Sequence, residues 1–123
     1  MKRYSFDSTT GKSIDRYESV GMSITPILRI MERQVEVCQT ACIHLERGGK
    51  IGGHEAPIPQ VFMVVGGEGE VAGSDGIFYP IKAGELAYWT AGEWHETVTR
   101  HGLTAIIVES EKLEPLGNLK EIS

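Results

Sequence analysis

The chain has 123 residues and a formal net charge of −5, with a pI near 5.3. That length holds one domain with one core, so residues 1–123 are read as a single unit. No Lys/Arg stripe is present, which excludes nucleic acid and anionic membrane as partners on composition.

The N-terminal residues Met1–Asp7 carry basic side chains but no apolar stretch of the kind a signal peptide needs. No apolar run approaches the ~18 residues that span a bilayer, and the expected compartment is the cytoplasm. Residues 1–25 are polar and mixed. A turn is expected at Thr9–Ser13 and a single helical turn at Ser13–Arg16. From Ser23 to Ile30 the pattern reads as a strand, placed at an edge by Pro26. Met31–Gln34 reads as a turn.

Val35–Leu45 alternates as a strand does. Val37, Gln39, Ala41, Ile43 and Leu45 share one face; Cys38, Thr40, Cys42 and His44 share the other. Along an extended strand the two cysteines lie ~13 Å apart, whereas a disulfide needs less than ~7 Å between Cα atoms. They are therefore expected as free thiols, in keeping with a reducing compartment.

A glycine-rich turn follows, Gly48-Gly49-Lys50-Ile51-Gly52-Gly53. It leads into His54-Glu55-Ala56-Pro57-Ile58-Pro59-Gln60 and then the apolar run Val61–Val65, which Gly66–Gly69 is expected to close. Both faces of Val61–Val65 are apolar, as in a strand buried centrally between layers. Glu70–Ala72 and Ile77–Tyr79 form a hairpin about Gly73-Ser74-Asp75-Gly76. Pro80–Gly84 is expected to turn, and Glu85–Thr90 to form a short strand. Ala91–Trp94 turns again and delivers His95. Leu103–Val108 is a buried strand, and Glu109–Ser123 reads as a surface tail. Many short strands punctuated by glycine, with no amphipathic helix, define an all-β barrel or sandwich.

The segments around His54 and His95 resemble the paired motifs of the cupin superfamily. In the first, Gly48 or Gly49, His54, Gln60 and Gly67 fall at the motif's spacing; in the second, Gly84, Thr90, Gly92, His95 and Thr99 do. The match covers roughly Cys42–Val108. It implies a cupin-type double-stranded β-helix, or jelly-roll barrel, with a barrel core at about 35–108, an N-terminal arm at 1–34 and a C-terminal tail at 109–123. It also implies a homodimer, for which Met63 and Val65 would supply an apolar outer face. This sequence departs from the motifs at four positions. Ala56 stands where the second His of motif one is expected, Gln60 where the Glu is, Thr90 where the Pro is and Thr99 where the Asn is.

The resemblance turns both imidazoles into the barrel with Gln60 beside them. His54, Gln60 and His95 are the candidate metal ligands, since two His and an oxygen donor suit Fe, Mn, Ni or Zn. The amide of Gln60 is neutral and a weaker donor than a carboxylate, so a site without metal is the equal alternative. Glu55 and Glu96 adjoin the histidines but alternate to the opposite faces. Tyr88 and Trp94 are candidate ligand-binding aromatics at the pocket rim. Two functions are expected. One is a module binding a small molecule through His54, Gln60 and His95, with an incomplete metal site. The other is a metal-dependent enzyme of dioxygenase or sugar/keto-acid isomerase type, using His54 and His95 as ligands.

Overall fold

The structure, a computed structural model, describes residues 1–28, 38–115 and 117–122. Eleven strands account for most of them: Lys2–Ser5 (β1), Lys12–Ile14 (β2), Met22–Ile24 (β3), Cys38–Leu45 (β4), Lys50–Glu55 (β5), Gln60–Ala72 (β6), Phe78–Lys82 (β7), Glu85–Trp89 (β8), Trp94–Val98 (β9), Leu103–Ser110 (β10) and Lys120–Ile122 (β11). Among the described residues no helix is long and apolar enough to cross a membrane.

One layer runs β11-β1-β8-β6-β10-β4, all antiparallel. The far half of β6 leaves that layer and joins a second, in which it pairs with β7 and β9, and β9 pairs with β5. The 13-residue β6 is therefore the spine of both layers. Gly66–Gly69 does not close this strand, contrary to the sequence expectation; it bends it. Gly67 sits at φ 75°, and a Cβ there would run into the Gly102 carbonyl, so only glycine lets β6 cross so close to the chain entering β10.

The alternation of β6 has a direct physical reason. Phe62, Val64 and Val71 point between the layers, where they pack with Ile81, Ala87, Trp89, Leu103, Ala105 and Ile107. Val61 and Met63 point the other way, into a second apolar cluster with Leu86, Leu113 and Leu119, edged by Tyr4, Phe6, Ile27, Leu28 and Val108. Both faces are apolar because both are covered. The cover of the outer face comes from the chain's own two ends. Met63 is thereby packed within the chain, while Val65 remains half exposed (52%).

Several local expectations change. Lys12–Ile14 pairs with Met22–Ile24 as a hairpin of strands, and among the described residues short helical turns fall on either side of Lys12–Ile14, at Ser8–Thr10 and Arg16–Glu18. Of the expected strand Ser23–Ile30, only Met22–Ile24 is strand; Leu28 makes an isolated bridge to Pro115, and residues 29 and 30 lie outside the described residues. The expected turn Met31–Gln34 and the start of the strand at 35–37 also lie outside them. Pro80 sits within β7, not in a turn. Among the described residues β7 pairs with β6 alone, so this edge position needs no N–H from residue 80. The last strand continues beyond Val108 to Ser110, and the expected surface tail is packed: Leu113 and Leu119 are buried, and β11 pairs with β1.

Candidate functional site

β5 and β9 run antiparallel with His54 directly opposite His95. Residues opposite each other across such a pair project to one face, and the ring centroids lie 4.4 Å apart, tilted by 56°. His95 is buried (4% exposed) and its ring stacks on Trp89, 4.4 Å centroid to centroid at 27°. Trp89 is anchored by its indole N–H, which donates to the Ala72 carbonyl at 3.2 Å. His54 is exposed.

Each imidazole has one nitrogen assigned by its neighbour. His54 Nδ1 lies 2.8 Å from the Gly52 carbonyl, and His95 Nδ1 lies 3.3 Å from the Glu93 carbonyl. A carbonyl oxygen only accepts, so Nδ1 bears the hydrogen in both rings, and Nε2 of each is left for another group. Burial pushes the His95 pKa down, and the neighbouring His54 adds to this; the Glu93 backbone, Glu93 and Glu109 oppose it without reversing it. His95 is a neutral acceptor at pH 7.

Gln60 opens β6, opposite Trp89 on β8 and Glu109 on β10. It is buried (7% exposed), and its amide N–H donates to Glu109 Oε1 at 2.8 Å. The other carboxylate oxygen accepts from the Gln39 amide at 2.9 Å. Gln39, Glu109 and Gln60 thus form a bridge across three adjacent strands, with the Gln60 carbonyl oxygen outside it. Glu109 acts on His95 electrostatically, and Gln60 stands opposite Trp89, on which His95 stacks, so the bridge lies at the same end of the barrel as the imidazole pair.

Glu109 was not expected here. Its signal lies in β10, where Leu103, Ala105, Ile107 and Glu109 share a face by alternation, the first three in the core. The continuous apolar run to Val108 hides that period. Gln39 shares its face with Ile43 and Leu45, both packed on the same core, so its inward direction is legible in β4.

Two expected ligand-binding residues lie elsewhere. Tyr88 belongs to the outer cluster, donates its hydroxyl to the Leu113 carbonyl at 2.9 Å, and borders a separate hollow of about 510 Å³ with Met1, Lys2 and Glu93. Trp94 alternates with His95 and lies over the opposite face of β5. A Cβ on Gly53 would sit 2.5–2.8 Å from its indole ring, so the absence of a side chain at Gly53 makes room for it. The aromatic ring that touches His95 is Trp89. Glu96 also faces outward, accepting from the Gly53 N–H at 3.1 Å, and Glu55 is exposed.

The four departures from the cupin motifs have visible consequences. Ala56, where a His ligand is expected, is buried with its backbone paired to the second motif: Ala56 N–H donates to Glu93 O at 2.9 Å, and Gly92 N–H donates to Ala56 O at 2.6 Å. Its methyl group offers no donor atom. Thr99 donates to the Glu68 carbonyl at 2.6 Å and accepts from Gly102 N–H, which fixes the turn into β10. Thr90 N–H donates to Glu93 Oε1, and Glu93 Oε2 accepts from Ser74 N–H and from the Met1 ammonium at 2.7 Å. Burial pushes the Glu93 pKa up, but these donors outweigh it and hold the carboxyl below its usual value. The loop carrying His95 is therefore fastened through Glu93. Gln60 is the remaining departure. Its amide donates to a carboxylate, where a Glu at the same place would repel it.

A tightly held divalent ion takes at least three well-placed protein donors, most often imidazole, carboxylate or thiolate. Among the described residues no group of three or more His, Cys, Asp and Glu side chains is placed to hold a metal ion. The donors at hand are two imidazoles and a neutral amide oxygen, and the carboxylate of the group is engaged by two amides.

No protein-family model matches the sequence, and no curated protein matches it. Solved structures do match. An RmlC-like cupin from Shewanella frigidimarina is 24% identical, with a TM-score of 0.57, over 60% of this chain and 66% of that one. A protein with a double-stranded β-helix domain from Klebsiella pneumoniae is 22% identical, with a TM-score of 0.55, over 68% and 82%. A predicted oxalate decarboxylase from Thermotoga maritima is 25% identical, with a TM-score of 0.53, over 63% and 65%. The chain spans just under two thirds of the Shewanella and Thermotoga proteins. The fold is the double-stranded β-helix of the cupin superfamily, as the motif spacing implies.

Proposed function

We propose that this chain is a cupin-type module that binds a small molecule at the polar end of its barrel, through His54, Gln60 and His95. The observation that carries the reading is the cross-strand imidazole pair, with both Nδ1–H groups committed to backbone carbonyls. Two Nε2 lone pairs and the Gln60 carbonyl oxygen all accept hydrogen bonds, and Glu109 adds negative charge beside them. The complementary ligand presents donors, namely hydroxyls or a protonated amine. Trp89 behind His95 holds that imidazole in place.

The test is a ligand-observed NMR screen of polyols, amines and matched carboxylates against the wild type and a His54→Ala/His95→Ala double variant. Hydroxyl- or ammonium-bearing compounds are expected to bind the wild type and to lose binding at least tenfold in the variant, a difference of about 1.4 kcal/mol. A preference for carboxylates, or equal binding by both proteins, contradicts the reading.

A second reading, the metal-dependent enzyme of dioxygenase or isomerase type, draws on the same nitrogens. Metal-bound histidines commonly anchor one ring nitrogen on a carbonyl and ligate through the other. It requires about one Fe, Mn, Ni or Zn per chain, removed by the same double variant.

A further inference from the structure

A second constellation of polar side chains stands on the outside of the barrel, on the face of β4 turned away from the core. Ile43 and Leu45 pack inward, so Cys42 and His44 alternate to the opposite face. On β10, Leu103, Ala105 and Ile107 take the core, and Thr104 turns outward in the same way. The register sets Thr104 directly opposite His44, and opposed residues share a face. Three side chains therefore meet. Cys42 Sγ lies 3.5 Å from His44 Nε2, and His44 Nδ1 lies 3.5 Å from Thr104 Oγ1. Cys42 and His44 are both exposed.

A thiol beside an imidazole whose far nitrogen meets a third polar group is the arrangement that activates a sulfur nucleophile. With Thr104 Oγ1 accepting from Nδ1–H, Nε2 faces the thiol as an acceptor. Cys38 supplies the contrast. It lies on the same face of the same strand and is exposed, but the residue opposite it is Ser110 and its neighbour along the face is Thr40, neither of them a base. Along the extended strand ~13 Å separates the two cysteines, and a disulfide needs less than ~7 Å between Cα atoms. Cys38 therefore cannot attack a bond formed at Cys42 of the same chain.

We propose that Cys42 is a site of S-thiolation by small disulfides, RSSR, with His44 carrying the proton and Thr104 positioning His44. The Cys42 sulfur attacks one sulfur of RSSR as its proton passes to His44 Nε2. A new S–S bond joins Cys42 to RS, the old S–S bond breaks, and the departing sulfur takes the proton from Nε2 and leaves as RSH. Cys42 is oxidised and the departing half of RSSR is reduced, so the exchange is balanced without another oxidant. Ile106, opposite Cys42 and half-buried, gives the RS group an apolar surface to lie on. The product stays a mixed disulfide because Cys38 is out of reach. The inference rests on the outer face of β4 and β10 and does not depend on what the barrel binds.

The probe is oxidised glutathione, with adducts followed over time by intact-mass spectrometry on single-cysteine proteins. Cys38→Ser, which keeps Cys42, is expected to take up one glutathione at least ~tenfold faster than Cys42→Ser, a small share of what a positioned acid–base group contributes. In the Cys38→Ser background, His44→Gln is expected to bring the rate down to that of Cys38. Thr104→Val lowers it partway and Thr104→Ser restores it, since only the hydroxyl positions the ring. In urea the two cysteines are expected to react alike, because the difference belongs to the folded strands. Equal rates at the two cysteines in the folded protein, a Cys42 rate unmoved by His44→Gln, or a folded protein that takes no glutathione at Cys42 while the unfolded one does, each overturns the proposal.

Discussion

The two ends of the barrel interior are built on the same strands and differ in kind. Along β4 the inward residues pass from Leu45 and Ile43 to Gln39; along β6 from Val64 and Phe62 to Gln60; along β10 from Leu103, Ala105 and Ile107 to Glu109. Three neighbouring strands change from apolar to polar at one end, and the imidazole pair lies at that same end, with His95 stacked on Trp89 opposite Gln60. Gln60 and His95 are buried there, and an interior without function would have little reason to exchange packed side chains for buried groups that must find partners. The apolar end supplies stability, and the polar end is held in place by it.

Substitutions separate the two ends, and the largest effect is expected at the apolar one. Phe62 is fully buried and touches Trp89, with ring centroids 5.9 Å apart. Phe62→Ala is expected to cost ~3–5 kcal/mol, read as a lower midpoint in urea unfolding. At the polar end, Glu109→Ala leaves the buried Gln60 amide without its acceptor and is expected to cost ~1–3 kcal/mol. Glu109→Gln should recover part of that stability while weakening any cationic ligand, which titration calorimetry would show. Gly53→Ala forces the half-buried indole of Trp94 to move on the outer face. About 1 kcal/mol is expected, the low end of overpacking, with changed tryptophan fluorescence and unchanged ligand binding.

The smallest effect is one of pH. The folded pKa of His95 lies below its ordinary value of 6.5, so the unfolded chain binds the proton first. Its contribution is present above pH 6.5 and is lost as pH falls from there to the folded value. Unfolding free energies measured through this window should fall with pH more steeply in the wild type than in His95→Gln. Loss tied to the depressed carboxyls Asp7, Asp75 and Glu93 belongs to more acid conditions.

What could be read from the sequence follows the same division. Glycine turns and the spacing about His54 and His95 identify the barrel, because turn geometry and strand period are local properties. The facing pair His54 and His95 follows from motif spacing. Glu109 was hidden because the apolar run to Val108 reads as a complete strand, and only pairing to β4 and β6 extends it. Tyr88 and Trp94 looked like rim residues from their nearness in sequence to His95. Alternation sends Trp94 to the other face, and the packing of the C-terminal segment claims Tyr88 through Leu113. That segment looked like a tail because its buried residues, Leu113 and Leu119, are too sparse to show a period.

The central claim is that this polar end holds its ligand by hydrogen bonds, with no metal ion between. Elemental analysis of untagged protein, wild type beside the His54→Ala/His95→Ala variant, tests it most directly. The account predicts metal well below one ion per chain and no difference between the two proteins. Near-stoichiometric Fe, Mn, Ni or Zn in the wild type, absent from an equally folded variant, would contradict it and establish His54 and His95 as ligands.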